Sequence, residues 1–191
     1  MTEAYKLCRN LYKTEEGKPL ELTGGQQQIF ECILKKQYPR VHCLTYTQYG
    51  KSLTIGLGVL TAVSTFPEKW AIVAPTHKKT RIIMGYIIDH IFDNEYTASK
   101  FEIDKNETRE RIRRERSKER MNFKHSNNTL GEVFILSTEG RRTKDVLDAL
   151  MGFGAQNVVI DESSLIDDHQ YFGILRMLGG HKENFLCEIG N

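Results

Sequence analysis

LTYTQYGKS, residues Leu44 to Ser52, decides how this chain is read: an apolar run breaks into a short polar loop that closes on Gly50-Lys51-Ser52. A loop that leaves a strand and turns directly into a helix aims several backbone N–H groups at one point. The helix N-terminus adds roughly half a positive charge there. Such a site holds polyphosphate. Gly50 lets the backbone approach an anion with no Cβ in the way, Lys51 can reach the β- and γ-phosphates, and the Ser52 hydroxyl can ligate Mg2+. Thr47, Gln48 and Tyr49 complete the nucleotide-binding loop. The full pattern is Gly-x-x-x-x-Gly-Lys-Ser/Thr, and here Thr45 stands in the first position, so the match is partial.

The segments around the loop have the order such a site needs. Arg40-VHCLTYT reads as the first buried strand, and Ser52 to Phe66 as a helix of small and apolar residues that stops at Pro67. Trp70-AIVAP is a second apolar strand, and Thr76 to Phe92 carries Ile82, Ile83, Tyr86 and Ile87 at helical spacing. Upstream, Ile29, Phe30, Ile33 and Leu34 share one helical face behind an N-cap at Thr23. Met121 to Ser137 reads as a hairpin about Ser126-Asn127-Asn128-Thr129, with Glu132 to Ser137 its apolar strand. Residues 138 to 156 form a glycine-rich connection with a short helical stretch around Val146 to Leu150. The run after Asn157 and the closing Phe185-LCEIGN are the last two strands, with a helix between Asp167-Asp168 and Gly179-Gly180. Strands alternating with helices predict an α/β fold, with a mainly parallel central sheet, right-handed crossovers and helices on both faces. Residues 1 to 20 end in the turn signal Gly17-Lys18-Pro19 and are expected to form a peripheral arm, packed on the core or on a neighbour.

The second half of the site lies in Asn157-VVIDES. Carboxylates just beyond the end of an apolar strand in a parallel sheet stand at the ligand-binding edge. Asp161 can hold the Mg2+ shell, and Glu162 can orient and deprotonate an attacking water. Gln26, shortly before the loop, offers a donor and an acceptor that match the edge of adenine. Strand-GKS-helix followed about a hundred residues later by strand-Asp-Glu points to an Mg2+-dependent ATPase.

Composition agrees with one globular domain. The chain has 191 residues, 27% charged and 39% hydrophobic, with four prolines, enough to bury a core without staples. Its formal net charge of +2 is too mild to argue for nucleic acid by itself. The four cysteines show no C-x-x-C spacing, and the six histidines no H-x-x-x-H pair. Reduced core thiols in the cytoplasm are expected, with no structural zinc. No apolar run approaches the roughly 20 residues a bilayer needs. The densest charge block is ETRERIRRERSKER, residues 107 to 120, with seven cationic side chains against four Glu. Its two readings are an exposed segment laced with ion pairs and a DNA-phosphate contact through Arg109, Arg113, Arg116 and Arg120.

Taken together, LTGGQ (22 to 26), TQYGKS (47 to 52), VVIDES (158 to 163) and LCEIGN (186 to 191) resemble the ATPase domain of the large terminase subunit, the motor that packages DNA into tailed-phage and herpesvirus capsids. The resemblance covers nearly the whole chain. It implies a P-loop NTPase fold of the ASCE/RecA-like kind, with ATP and Mg2+ as cofactors. Leu22, Thr23 and Gln26 match the adenine motif, Gly50, Lys51 and Ser52 the Walker A ending, Asp161 and Glu162 the Walker B pair, and Asn191 the coupling residue. Many members carry Arg where this chain has Thr47, and an arginine upstream of Walker B where it has Met151-Gly152. Arg141 and Arg142 are therefore the candidates for the arginine that neutralises charge in phosphoryl transfer, in cis or reaching a neighbouring subunit.

The resemblance further implies double-stranded DNA, a portal protein and a small terminase subunit as partners. It also implies a ring of copies on the capsid that is monomeric in isolation, and a host-cell cytoplasmic location with transient docking on the procapsid. Family members add a C-terminal nuclease, for which 191 residues leave no room, so a truncated ATPase piece is expected. Two other readings compete. A helicase-like DNA-dependent ATPase would also have GKS and Asp-Glu boxes, but here Asp-Glu-Ser-Ser follows the strand. An assembly module would bind nucleotide without turning it over.

Overall fold

The computed structural model describes residues 2–104, 107–115, 119–139 and 154–190. Two helices lead in, α1 (Glu3–Leu11) and α2 (Gly24–Lys35), followed by strand β1 (Arg40–Leu44). The chain continues through α3 (Lys51–Thr65), β2 (Lys69–Ala74), α4 (His77–Ile91), α5 (Glu95–Lys100) and α6 (Arg109–Glu115). The antiparallel pair β3 (Arg120–Lys124) and β4 (Leu130–Ser137) comes next, then β5 (Asn157–Asp161), α7 (Asp168–Gly179) and β6 (Phe185–Gly190). The six strands form one sheet in the order β1-β6-β5-β2-β4-β3, parallel except for β3. Both the parallel sheet and the hairpin about Ser126–Asn128 follow the pattern expected from sequence.

Side-chain alternation along the strands sorts the core into two layers. Trp70, Ile72, Val133, Val159, Phe185, Cys187 and Ile189 face the layer built by α1 to α4. Ala71, Val73, Phe134, Val158, Ile160 and Leu186 face α7. Helix α3 is buried from Thr54 through Ser64, which is why its sequence is apolar all round rather than amphipathic. Close packing there needs a small residue: a Cβ on Gly131 of β4 would overlap the Val63 carbonyl of α3. At the bottom of the sheet Glu68 ties three elements together. Its Oε2 accepts from Lys36 Nζ at 2.9 Å, Trp70 Nε1 at 3.1 Å and Asn157 Nδ2 at 3.4 Å.

The first residues pack on the core: Tyr5, Cys8, Leu11 and Tyr12 are buried in it, and the Tyr12 hydroxyl bonds Thr61 Oγ1 of α3 at 2.7 Å. One expectation needs correction. Strand β1 is not a buried strand. It lies at the sheet edge with an alternating exposed and half-exposed pattern, and Leu44 is 72% exposed. Among the described residues no helix is long and apolar enough to cross a membrane, and all four cysteines are free.

Candidate active site

The registers Leu44↔Gly190, Asp161↔Ile189, Val73↔Ile160 and Ala74↔Ser137 bring the C-terminal ends of all five parallel strands to one edge. Helices α3 and α4 begin on that same edge, so their N-termini add positive potential there. Residues 45 to 50 cross it from β1 to α3. Thr45 N–H extends the ladder to Gly190 O at 3.0 Å, after which Gln48 (φ 61°) and Gly50 (φ 80°) turn the backbone through left-handed conformations. Gly50 is the N-cap of α3, and its carbonyl accepts from Thr54 Oγ1 at 3.0 Å. Tyr46, Thr47 and Gln48 are exposed at the crest.

Gln26 fixes the loop from below. Its Nε2 donates to Tyr49 O at 2.9 Å, and its Oε1 accepts from Thr23 N–H at 2.8 Å in the capping box of α2. The amide assigned from sequence to adenine is thus engaged at both ends with protein. Tyr49 packs so tightly against the start of α2 that a Cβ on Gly25 would overlap its hydroxyl.

Four predicted residues converge. Lys51, the first residue of α3, is only 7% exposed. Asp161 shares the parity of Val159 along β5, so its side chain faces α3, and Ser52 Oγ donates to its Oδ2 at 3.4 Å. Asp161 is 2% exposed, and its Oδ1 is buried without a hydrogen-bond partner among the described residues. Burial is the main cause that holds its carboxyl above the usual range. The adjacent Glu162 adds to this, while Lys51, Lys79 and the Glu162 N–H oppose it. An unpaired carboxylate oxygen beside a serine hydroxyl is a hard donor set that suits Mg2+. Among the described residues no three His, Cys, Asp or Glu side chains gather into a metal cage. A cation here would therefore draw its other ligands from phosphate and water.

Glu162 follows at the strand end with φ 56° and ψ 47°, capping a 3-10 turn over Ser163–Leu165. Its Oε1 is 2.6 Å from Lys79 Nζ. Lys79 was not singled out by its sequence context. Its one usable signal is position, as a cation in the first turn of the helix that follows a strand ending at the ligand edge.

Arg141, Arg142, Arg116 and Asn191 lie outside the described residues, as does the side chain of Arg113. Arg109 stacks on Phe92, with Cζ 5.3 Å from the ring centroid, and Arg120 pairs with Glu132 at 2.8 Å. Arg120 lies on β3, at the sheet edge opposite β1, and is not brought to the strand-end site.

This sheet and loop have the α/β P-loop NTPase fold. Within it the chain has the fold of phage large-terminase ATPase domains. The HK97 bacteriophage large terminase superposes with a TM-score of 0.74 at 15% identity, covering 100% of this chain and 38% of that one. The Thermus phage P74-26 large-terminase ATPase domain gives 0.62 at 20% identity, over 94% of this chain and 70% of that one. The large terminase of another thermophilic bacteriophage, in complex with ADP, gives 0.54 at 10% identity, over 90% and 39%. By sequence, no family model and no curated protein matches. The chain spans well under half the length of the HK97 protein it matches.

Proposed function

We propose that the chain is the ATPase domain of a terminase large subunit, hydrolysing ATP with Mg2+ to drive double-stranded DNA into a procapsid. One juxtaposition carries the reading. Ser52 Oγ stands 3.4 Å from Asp161 Oδ2, while Asp161 Oδ1 is buried without a partner among the described residues and Lys51 is buried at the head of α3. The ADP complex of a protein with the same fold supports nucleotide as the ligand.

The steps follow from the side chains. The loop N–H groups and Lys51 hold the β- and γ-phosphates, and Ser52 and Asp161 would hold Mg2+, which neutralises charge on the phosphate oxygens. Glu162 orients a water whose oxygen attacks the γ-phosphorus and takes the proton it loses. The bond from the γ-phosphorus to the β–γ bridging oxygen breaks, and ADP leaves with that oxygen. Gln26 sets the height of the loop through the Tyr49 carbonyl and, once nucleotide enters, offers its amide to adenine. Arg141 or Arg142 supplies the transition-state cation, and Asn191 couples hydrolysis to movement. Double-stranded DNA, portal protein and the small subunit are the partners of a ring assembled on the procapsid in the host cytoplasm, with Arg109, Arg113, Arg116 and Arg120 as DNA contacts.

Turnover with and without DNA tests the proposal. Lys51→Ala and Glu162→Gln should each lower hydrolysis about a hundredfold or more, with Glu162→Gln still binding nucleotide. Full turnover in either variant would refute it.

A further inference from the structure

The edge of the sheet opposite the nucleotide loop carries a second concavity. Where β1, β6 and β5 begin, beside the end of α2, a cavity of about 720 Å3 opens, within the roughly 300–1,000 Å3 of sites that enclose a bound ligand. Arg40, Phe185 and Asn157, the first residues of these strands, line it together with Glu68, which leads into β2. Its floor is held in place. Asn157 is 1% exposed, a polar residue at the start of an otherwise apolar strand, and donates to Glu68 Oε2 at 3.4 Å. Asn184 ties the loop that enters β6, donating from Nδ2 to His181 O at 2.8 Å and to Leu178 O at 3.3 Å. That loop displays the exposed Lys182 and Glu183 on the cavity.

The cations of the lining are not equivalent. Lys36 is neutralised by Glu68 at 2.9 Å, and Lys35 by Glu31, which lies outside the cavity. Arg40 donates from Nη1 to Pro39 O at 2.7 Å, and neither it nor Lys182 meets a carboxylate among the described residues. The side-chain amide of Gln156 likewise makes no hydrogen bond among them. Two exposed cations thus stand at the β1–β6 end and amide groups at the β5 end.

A carboxylate complements the first group, and a peptide backbone the second, because an amide side chain donates and accepts at once. A nucleic-acid backbone fits less well: its phosphates only accept, and they would face Glu68 and Glu183, to which peptide N–H groups can donate. In the strand order, the lining from Arg40 to Glu68 crosses three strand spacings, about 14 Å, the length of about four extended residues. We propose that this cavity binds an acidic segment of a partner protein in extended form, with the segment's carboxylates on Arg40 and Lys182 and its backbone on Gln156 and Asn157. Lying on the edge away from Lys51 and Asp161, the site stands whether or not the chain hydrolyses ATP.

Fluorescence anisotropy of a fluorescein-labelled peptide of Glu-Thr repeats tests this on the full chain, beside the matching Gln-Thr peptide and a short oligothymidylate. The salt is held near about 0.1 M, where charges more than about 10 Å away are largely screened. Arg40→Glu and Lys182→Glu should each weaken the Glu-Thr peptide about fivefold, and together about twentyfold. Gln156→Ala should cost about threefold. Arg40→Gln and Lys182→Gln, which keep the bulk and lose the charge, should each cost about twofold. Lys78→Glu makes the same change of charge at the exposed start of α4, on the nucleotide edge, and should leave the affinity within about twofold. The Gln-Thr peptide should bind about tenfold more weakly than the acidic one. No binding of the Glu-Thr peptide to the wild type, an affinity indifferent to Arg40 and Lys182, or an equal loss in Lys78→Glu would overturn the assignment. Tighter binding of oligothymidylate through the same two cations would overturn it as well and make the cavity a nucleic-acid contact.

Discussion

Gly50→Ala isolates what holds the phosphate loop in shape. The position has φ 80° and ψ 23°, where an L-residue costs about 1–2 kcal/mol. The new Cβ would also overlap Gln26 Nε2, displacing the amide from Tyr49 O. That is a loss of about 0.5–1.5 kcal/mol for a bond of this kind. Together these give about 1.5–3.5 kcal/mol, or about 3–14 °C of melting temperature for a chain of this size. The assay is thermal unfolding of the nucleotide-free protein beside Gln26→Ala and the double variant. With the amide already removed, Gly50→Ala should cost only the backbone contribution, so the two substitutions are less than additive by about 1 kcal/mol. A melting point within about 1 °C of the wild type, or full additivity, would refute the reasoning.

Asp161→Asn should raise the melting temperature of the nucleotide-free protein near neutral pH while weakening Mg2+-dependent nucleotide binding. The carboxyl is held above its usual range chiefly by burial, so its contribution is most favourable when protonated and is lost as pH rises through the folded value. The advantage of Asn should accordingly shrink toward acid pH in a pH series of melts. Glu68→Ala should lower stability by about 2–3 kcal/mol in denaturant unfolding, because Lys36, Trp70 and Asn157 lose a shared acceptor. Tyr12→Phe should cost about 1 kcal/mol, since Thr61 Oγ1 keeps its bond to Leu57 O. Tyr12→Ala should cost about 3–5 kcal/mol, and a silent Tyr12→Ala would return the first residues to a dispensable arm.

The parts of the site carried by local pattern were legible in the sequence. Gly50-Lys51-Ser52 after a strand and Asp161-Glu162 at the end of another need only short-range grammar, and strand parity then turns Asp161 toward Ser52. What escaped depends on distant partners. Lys79 reads as an ordinary solvated helix start, because its partner Glu162 lies 83 residues away. The edge position of β1 follows from the strand order of the whole sheet, while its own composition of Val, His, Cys and Leu fits a buried strand equally well. In and just after α1, the buried set Tyr5, Cys8, Leu11 and Tyr12 is interleaved with Lys6, Arg9 and Asn10, which masks a helical face that is completed only by distant parts of the chain, as Thr61 of α3 does for Tyr12. Gln26 was found by its place in a motif, but its grip on Tyr49 O was not visible, because a backbone carbonyl leaves no mark in a sequence.

Strand β1 has a ladder partner on one side only among the described residues, β6, yet it carries the loop that the proposed chemistry depends on. An element tethered along a single flank exchanges its amides through shallow local openings, well below the free energy of global unfolding. Slow deuterium uptake is expected in β5 and β2, which sit between two neighbours each, and fast uptake in β1. On the proposed function, a ligand gripping the loop, the start of α3 and Asp161 together would fasten β1 across β6 to the middle of the sheet. Protection gained on adding nucleotide should therefore concentrate at Val41 to Leu44, making this strand the place where occupancy is read as rigidity.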